Sequence, residues 1–239
     1  MAVCYMKKVL VVQFTSGVAQ EHAQRCFIDS CPDTTFAFVH GVESDCSQID
    51  LADISHIIIG GSGAFYLSQG DGATTWLPSI FSLLNNAFEK DIPILGICFG
   101  FQILALHQGA RVVHNADAEE IGTFLTYSYP AAANDKLFSV LPQQFFSQLI
   151  HKDVIEAPPS SIERLSYSDR VQCNGFKVAG RSAWGVLFHP ELTAQTARER
   201  LSMFPEYIQA ETGSVDQFIQ SHIVESPETS KLLRVFCRI

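Results

Sequence analysis

The sequence predicts a three-layer α/β sandwich built on a mainly parallel central sheet. Two observations predict it. Short, near-continuous apolar runs recur along the first 110 residues, and strands buried on both faces of a parallel sheet read this way. Segments with helical spacing separate those runs, giving the strand–helix alternation of βαβ units.

The elements follow in order. Residues 9–14 form an apolar run closed by Thr15-Ser16-Gly17 and read as the first strand. Residues 19–28 read as a helix that Cys31-Pro32-Asp33 breaks. Residues 34–40 are the second strand and 54–59 the third, which Gly60-Gly61-Ser62-Gly63 ends abruptly. Residues 80–88 have helical spacing at Ile80, Leu83, Leu84 and Phe88. The fourth strand spans 92–97, and a helix over 99–107 stops at Gly109. Residues 122–127, 146–150 and 171–178 are β-like and are expected to form a smaller antiparallel part. Val186-Leu187-Phe188 is the last clear strand, and residues 194–239 read as mainly helical. In that tail, 215–219 and 232–236 are helix candidates, expected to cap the sheet or to offer a docking surface. With no linker, repeat or low-complexity tract, one domain over residues 1–239 is the simplest account: a motif-bearing part at 9–193 and a helical tail at 194–239.

Composition narrows the class. The chain has 239 residues, enough to bury a full core without metal or disulfide support. Charged residues are 17% and hydrophobic residues 47%, which argues against disorder. Eighteen phenylalanines point to a Phe-rich core. Sixteen Lys+Arg against 25 Asp+Glu give a net charge of −9, which disfavours a nucleic-acid binder. The seven cysteines are odd in number and contain no C-x-x-C, so a zinc site or redox dithiol is not expected and a reducing compartment is. Lys7-Lys8 precede an apolar stretch too short for a secretory signal or membrane span. The expectation is a soluble, cytoplasmic protein that binds no membrane.

Three segments carry chemistry. Gly96-Ile97-Cys98-Phe99-Gly100-Phe101-Gln102 follows a buried strand and opens a helix. A nucleophile on such a tight strand–turn–helix junction projects at the carboxyl edge of the sheet, and flanking glycines avoid backbone clashes. A helix N-terminus there favours a thiolate, and the Phe99 N–H is free for a developing oxyanion. Second, Gly185-Val186-Leu187-Phe188-His189-Pro190-Glu191 ends a strand. Residues two apart in an extended chain share a side, so Glu191 can orient the His189 imidazole. Third, Gly60-Gly61-Ser62-Gly63 follows the third strand, where reactive groups of open parallel sheets gather. No P-loop or G-x-G-x-x-G spacing is present.

Taken in order, these segments resemble the class I (triad-type) glutamine amidotransferases, whose motif set is a Gly-Gly loop, G-x-C-x-G-x-Q and a terminal H-P-E. Glu120-Ile121-Gly122 and His151-Lys152-Asp153-Val154 before Pro158 are similar to stretches of free-standing members. The resemblance covers roughly residues 9–193 and extends to the amidotransferase part of GMP synthase. It implies a flavodoxin-like fold with Cys98 at a nucleophile elbow. It implies that Cys98 attacks the glutamine side-chain amide, that His189 moves the proton and that Glu191 orients His189. The N–H groups of Gly61 and Phe99 would form the oxyanion hole, and Gln102, Lys152 and Asp153 would bind the substrate. A γ-glutamyl thioester would form and water would release glutamate. No metal or organic cofactor is implied.

Some residues depart from the family pattern. Leu187 replaces a common Gln, which reads as packing. Ser62 replaces the Pro that often follows Gly-Gly, a change expected to alter loop rigidity. Phe99 and Phe101 either narrow the pocket or pack beside it. The tail is too small for a synthetase core, so a separate acceptor-activating subunit is expected, or no transfer at all. Two alternatives stay open: a γ-glutamyl peptidase using the same triad, and a non-catalytic binding or regulatory module of the same fold.

Overall fold

In a computed structural model, residues 7–208 and 214–239 are described. Parallel pairing joins β2 (Phe36–His40), β1 (Lys8–Gln13), β3 (Ile54–Ile59), β4 (Ile94–Ile97) and β11 (Ala183–Val186), in that spatial order. Antiparallel pairing then carries the same sheet on through β10 (Gly175–Val178), β9 (Ile162–Ser168), β6 (Glu120–Ser128) and β7 (Gln144–His151). Seven of its nine strands therefore run the same way. The antiparallel segments, expected as a smaller antiparallel part, are the continuation of the same sheet. A two-stranded ribbon of β5 (Arg111–His114) and β8 (Asp153–Glu156) stands apart from it.

Consecutive buried residues on β1, β3, β4 and β11 need cover on both faces. Two helix groups supply it. In one, α2 (Leu77–Glu89) meets α3 (Phe99–His107) through the His107 ring, which packs against Phe81 and Phe88 and hydrogen-bonds Asn85 at 2.9 Å. The α3 helix lies on β3, β4 and β11. In the other group, α1 (Gly17–Ser30) contacts α4 (Ala194–Met203) and α6 (Pro227–Phe236). Leu232, Leu233 and Phe236 bury α6 in the core, and α5 (Val215–His222) packs against α4 and β6. The tail thus caps its own sheet. The Phe-rich core is visible in Phe14, Phe101, Phe138, Phe176, Phe188 and Phe236, all closely buried.

Four expected strands are shorter than their apolar patterns: 34–40 pairs only from Phe36 and 92–97 only from Ile94, and the other two are cut further. Of residues 171–178 only β10 is strand. The Val171 N–H is held by the Ser168 hydroxyl at 3.0 Å, so the chain turns there before it can pair. At 186–188 the strand ends on Val186, because the Leu187 N–H leaves the ladder for the Asn174 carbonyl at 2.8 Å. Apolar character at these positions reflects burial, not pairing. Among the described residues no helix is long and apolar enough to cross a membrane.

Candidate active site

Three neighbouring strands of the sheet deliver the three sequence segments to one edge. β3 leads into Gly60-Gly61, β4 into Cys98, and β11 into His189. All run parallel, so their carboxyl ends coincide. Cys98 sits at φ 52°, ψ −101°, a conformation that a side-chain-bearing residue adopts only at a cost. Glycines make the elbow possible. A Cβ on Gly100 would strike the Ile59 carbonyl, and one on Gly96 would strike the Gly100 carbonyl. The Gly100 N–H instead bonds the Gly60 carbonyl at 3.1 Å, tying the elbow to the Gly-Gly loop.

The Cys98 thiol donates to the Ile150 carbonyl at 3.5 Å and its side chain also interacts with the His189 ring. On the other side of that ring, Nδ1 meets Glu191 Oε1 at 2.7 Å. The extended geometry expected for His189 and Glu191 is corrected here: both lie beyond β11, and Pro190-Glu191 forms a turn. The turn closes because the His189 N–H bonds the Gln148 carbonyl at 2.9 Å and the Leu192 N–H bonds the His189 carbonyl at 3.3 Å. His189 and Glu191 are each 3% exposed. Burial alone would push the imidazole pKa down, but the Glu191 charge and the nearby Cys98 outweigh it and raise His189 to about 10. Burial would likewise raise Glu191, yet His189 and then the Arg200 guanidinium hold it below the usual carboxylate range. The pair is therefore an imidazolium and a carboxylate at neutral pH.

The remaining predicted residues converge on the same place. Gly61 lies against His189, since a Cβ there would be 3.0 Å from His189 Cε1. Among the described residues, the N–H groups of Gly61 and Phe99 have no hydrogen-bond partner. Ser62 stiffens its loop rather than loosening it, because its hydroxyl accepts from the Ala64 and Phe65 N–H groups at 3.1 and 3.2 Å. Cys98, Phe99, Gln102, Lys152 and Asp153 line one small pocket. Gln102 Nε2 donates to the Asp153 carbonyl at 3.1 Å, and the Asp153 carboxylate accepts from the Ser68 hydroxyl at 2.7 Å. Lys152 Nζ lies 5.2 Å from the centre of the Tyr207 ring. Phe99 also packs against Phe14, Phe65 and Trp76, and Phe101 against Phe176, so Phe101 is a packing residue.

The two segments around Glu120 and His151 meet as well. They stand opposite each other in the β6–β7 register, and His151 Nε2 is 3.1 Å from Glu120 Oε2. His151 forms part of the pocket wall. Sequence reasoning missed the Tyr66 and Tyr207 side of the pocket and the buried Arg200 behind Glu191. Nothing in the residues around them marks these positions. Among the described residues, no group of three or more His, Cys, Asp or Glu is placed to hold a metal, and six cysteines are free. The seventh, Cys4, lies outside the described residues.

The family profile "Glutamine amidotransferase class-I" matches residues 39–208. The glutamine-hydrolyzing GMP synthase subunit of Methanocaldococcus jannaschii is 40% identical over 106 residues, which is 44% of this chain and 54% of that protein. The glutamine-hydrolyzing GMP synthase of Porphyromonas gingivalis is 31% identical over 145 residues, 60% of this chain and 26% of that one. The match thus spans about half of the archaeal relative and about a quarter of the bacterial one. Among solved structures, a glutamine amidotransferase from Thermotoga maritima superposes with a TM-score of 0.74 at 22% identity, covering 97% of this chain and 96% of that one. At that identity the likeness shows a shared fold.

Proposed function

This chain belongs to the class-I glutamine amidotransferase family, and from that premise we propose that it hydrolyses the side-chain amide of glutamine through Cys98, His189 and Glu191. The observation that carries the reading is the arrangement of a strained cysteine elbow, an imidazole beside it and a carboxylate 2.7 Å behind the imidazole.

The steps follow from that arrangement. Cys98 attacks the amide carbon as the thiolate of a thiolate–imidazolium pair, its proton having passed to His189 and its bond to the Ile150 carbonyl given up, and the carbonyl oxygen becomes an oxyanion facing the free N–H groups of Gly61 and Phe99. His189 then gives its proton to the departing nitrogen, the C–N bond breaks, and ammonia leaves a γ-glutamyl thioester on Cys98. Water, deprotonated by His189, attacks the thioester and releases glutamate. Glu191 keeps the ring oriented throughout and stabilises it whenever it is protonated. Gln102, Lys152 and Asp153 would hold the amino-acid end of the substrate in the pocket they line. Relatives named as one subunit of a GMP synthase support a further step, in which the ammonia passes to a separate acceptor-activating protein.

The test is glutamate release with glutamine and a set of γ-glutamyl peptides offered in parallel, with Cys98→Ala as control. Turnover of glutamine is the expected result. Turnover of peptides alone assigns a γ-glutamyl peptidase. Silence on both, together with no labelling of Cys98 by diazo-oxo-norleucine, assigns a non-catalytic module.

A further inference from the structure

Behind the site lies a buried cation. Arg200, on α4, is only 8% exposed. Its Nε donates to His22 Nδ1 on α1 at 3.2 Å. Accepting that bond requires a neutral His22 with its proton on Nε2, and Nε2 faces Glu199 Oε2 at 3.3 Å. Burial, followed by the Arg200 charge, holds His22 below its ordinary pKa, which agrees with the neutral ring. Glu199 in turn receives Arg25 Nη2 at 3.0 Å and Gln195 Nε2 at 3.2 Å. A hydrogen-bonded chain therefore runs inward from the surface of α1 and α4 and ends on the guanidinium.

Two atoms are left over at its inner end. Arg200 Nη2 and Glu191 Oε2 are buried, and neither has a hydrogen-bond partner among the described residues. Arg200 and His189 line the same cavity. We propose that Arg200 is a positioning residue for the triad: oriented by His22 and lining the cavity beside His189, its buried guanidinium keeps the Glu191–His189 pair charged across more than 4 Å, without a direct ion pair to Glu191. The proposal rests on the glutaminase reading of that pair. The groups that face Glu191 are His189 from the site, Arg200 from α4 and Cys26 from α1. Those that face Arg200 are His22, Cys26 and Glu191, with Glu199 one step further out on the other nitrogen of His22. Cys26 is itself pushed up to about 11 by burial, so it stays a neutral thiol. Arg200 is then the one buried cation opposing protonation of Glu191 from outside the triad among these groups.

A helix cross-link would explain the same burial, but it would not move a pH profile. Wild type, Arg200→Gln, Arg200→Lys and Glu199→Gln are compared in two pH series. One is kcat/KM for glutamine. The other is the rate of Cys98 alkylation by iodoacetamide, read on the Cys98 peptide by mass spectrometry. Removing a cation makes protonation of the neighbouring pair easier, so Arg200→Gln moves the acid limb of both series upward by about one pH unit. Arg200→Lys keeps the charge, so its limb stays in place and only the height falls. Glu199→Gln removes an opposing anion and moves the limb downward by about 0.3 of a pH unit, a small effect because Glu199 is partly solvated. A uniform loss in Arg200→Gln with the limb unmoved overturns the proposal. If that variant does not fold, an unmoved limb in Glu199→Gln overturns it instead. A wild-type chain that releases no glutamate while the alkylation limb still shifts removes the glutaminase reading and leaves the charge coupling standing.

Discussion

Two buried histidine–carboxylate pairs lie within the same site, and they are put together differently. His189–Glu191 is local: the residues are two apart, a turn closes them to 2.7 Å, and a thiol stands on one side and a guanidinium behind. His151–Glu120 is cross-strand: the residues are 31 apart, the β6–β7 register sets them opposite each other, and they meet at 3.1 Å with no exposure on either side chain. The first pair hangs on a short loop at a sheet edge beside a strained cysteine. The second is the terminal rung of the β6–β7 ladder. Under the proposed glutaminase reading, what separates the two pairs is the neighbour on the far ring nitrogen. His151 Nδ1 has no partner among the described residues, whereas His189 faces the Cys98 side chain.

The comparison can be broken most severely at the thiol. Cys98→Ala is expected to lower glutamine turnover by at least about 10⁴-fold, measured as glutamate release, while leaving the melting temperature close to wild type. Substantial remaining turnover would leave the local pair with no more role than the cross-strand one. Glu191→Gln comes next, with a loss of about 10³-fold in kcat and little change in KM, because a neutral partner favours the wrong ring tautomer.

The pH series sharpens the same contrast. His189 has a raised pKa, so its proton is present below about 10 and is lost as pH rises through that value. The alkaline fall of kcat/KM is therefore expected near pH 10, and a fall near pH 7 would contradict the imidazolium. Glu120→Gln probes the other pair. It should reduce unfolding free energy by about 2 kcal/mol in urea titration, with kcat changed by less than about 10-fold and both pH limbs in place. The smallest effect is expected from Gly61→Ala. Its Cβ would press on the His189 ring at 3.0 Å, and a loss of about 5-fold in kcat is expected, a small fraction of what a lost oxyanion donor costs.

How legible these features were depends on the physical signal each leaves in the chain. β1, β3 and β4 are buried on both faces and read as unbroken apolar runs, so their positions were evident. β9, Ile162–Ser168, alternates buried and exposed residues irregularly, and β5 and β8 are only four residues each. Such short, half-wet strands carry no pattern that separates them from loops. The elbow and the His-Pro-Glu turn were legible because strained geometry demands particular residue types at fixed offsets. Arg200 and Tyr207 were not, since they reach the site only through the packing of α4 and the turn after it. Nothing local distinguishes a buried arginine on an amphipathic helix from an exposed one.

The strand β7 has one further consequence. It ends the nine-stranded sheet, so one of its backbone edges has no neighbouring strand. Two of its carbonyls, Gln148 and Ile150, are taken by the His189 N–H and the Cys98 thiol. Thiol and imidazole thus hang from the same rail, two residues apart, so a change in the position of β7 would act on both at once. The rail has its own tether: the Gln148 side chain donates to the Val224 carbonyl at 2.8 Å and to the Ser226 hydroxyl at 3.1 Å. The stretch between α5 and α6, far from the elbow in sequence, is in this way a fixture of the reactive geometry rather than a trailing appendage.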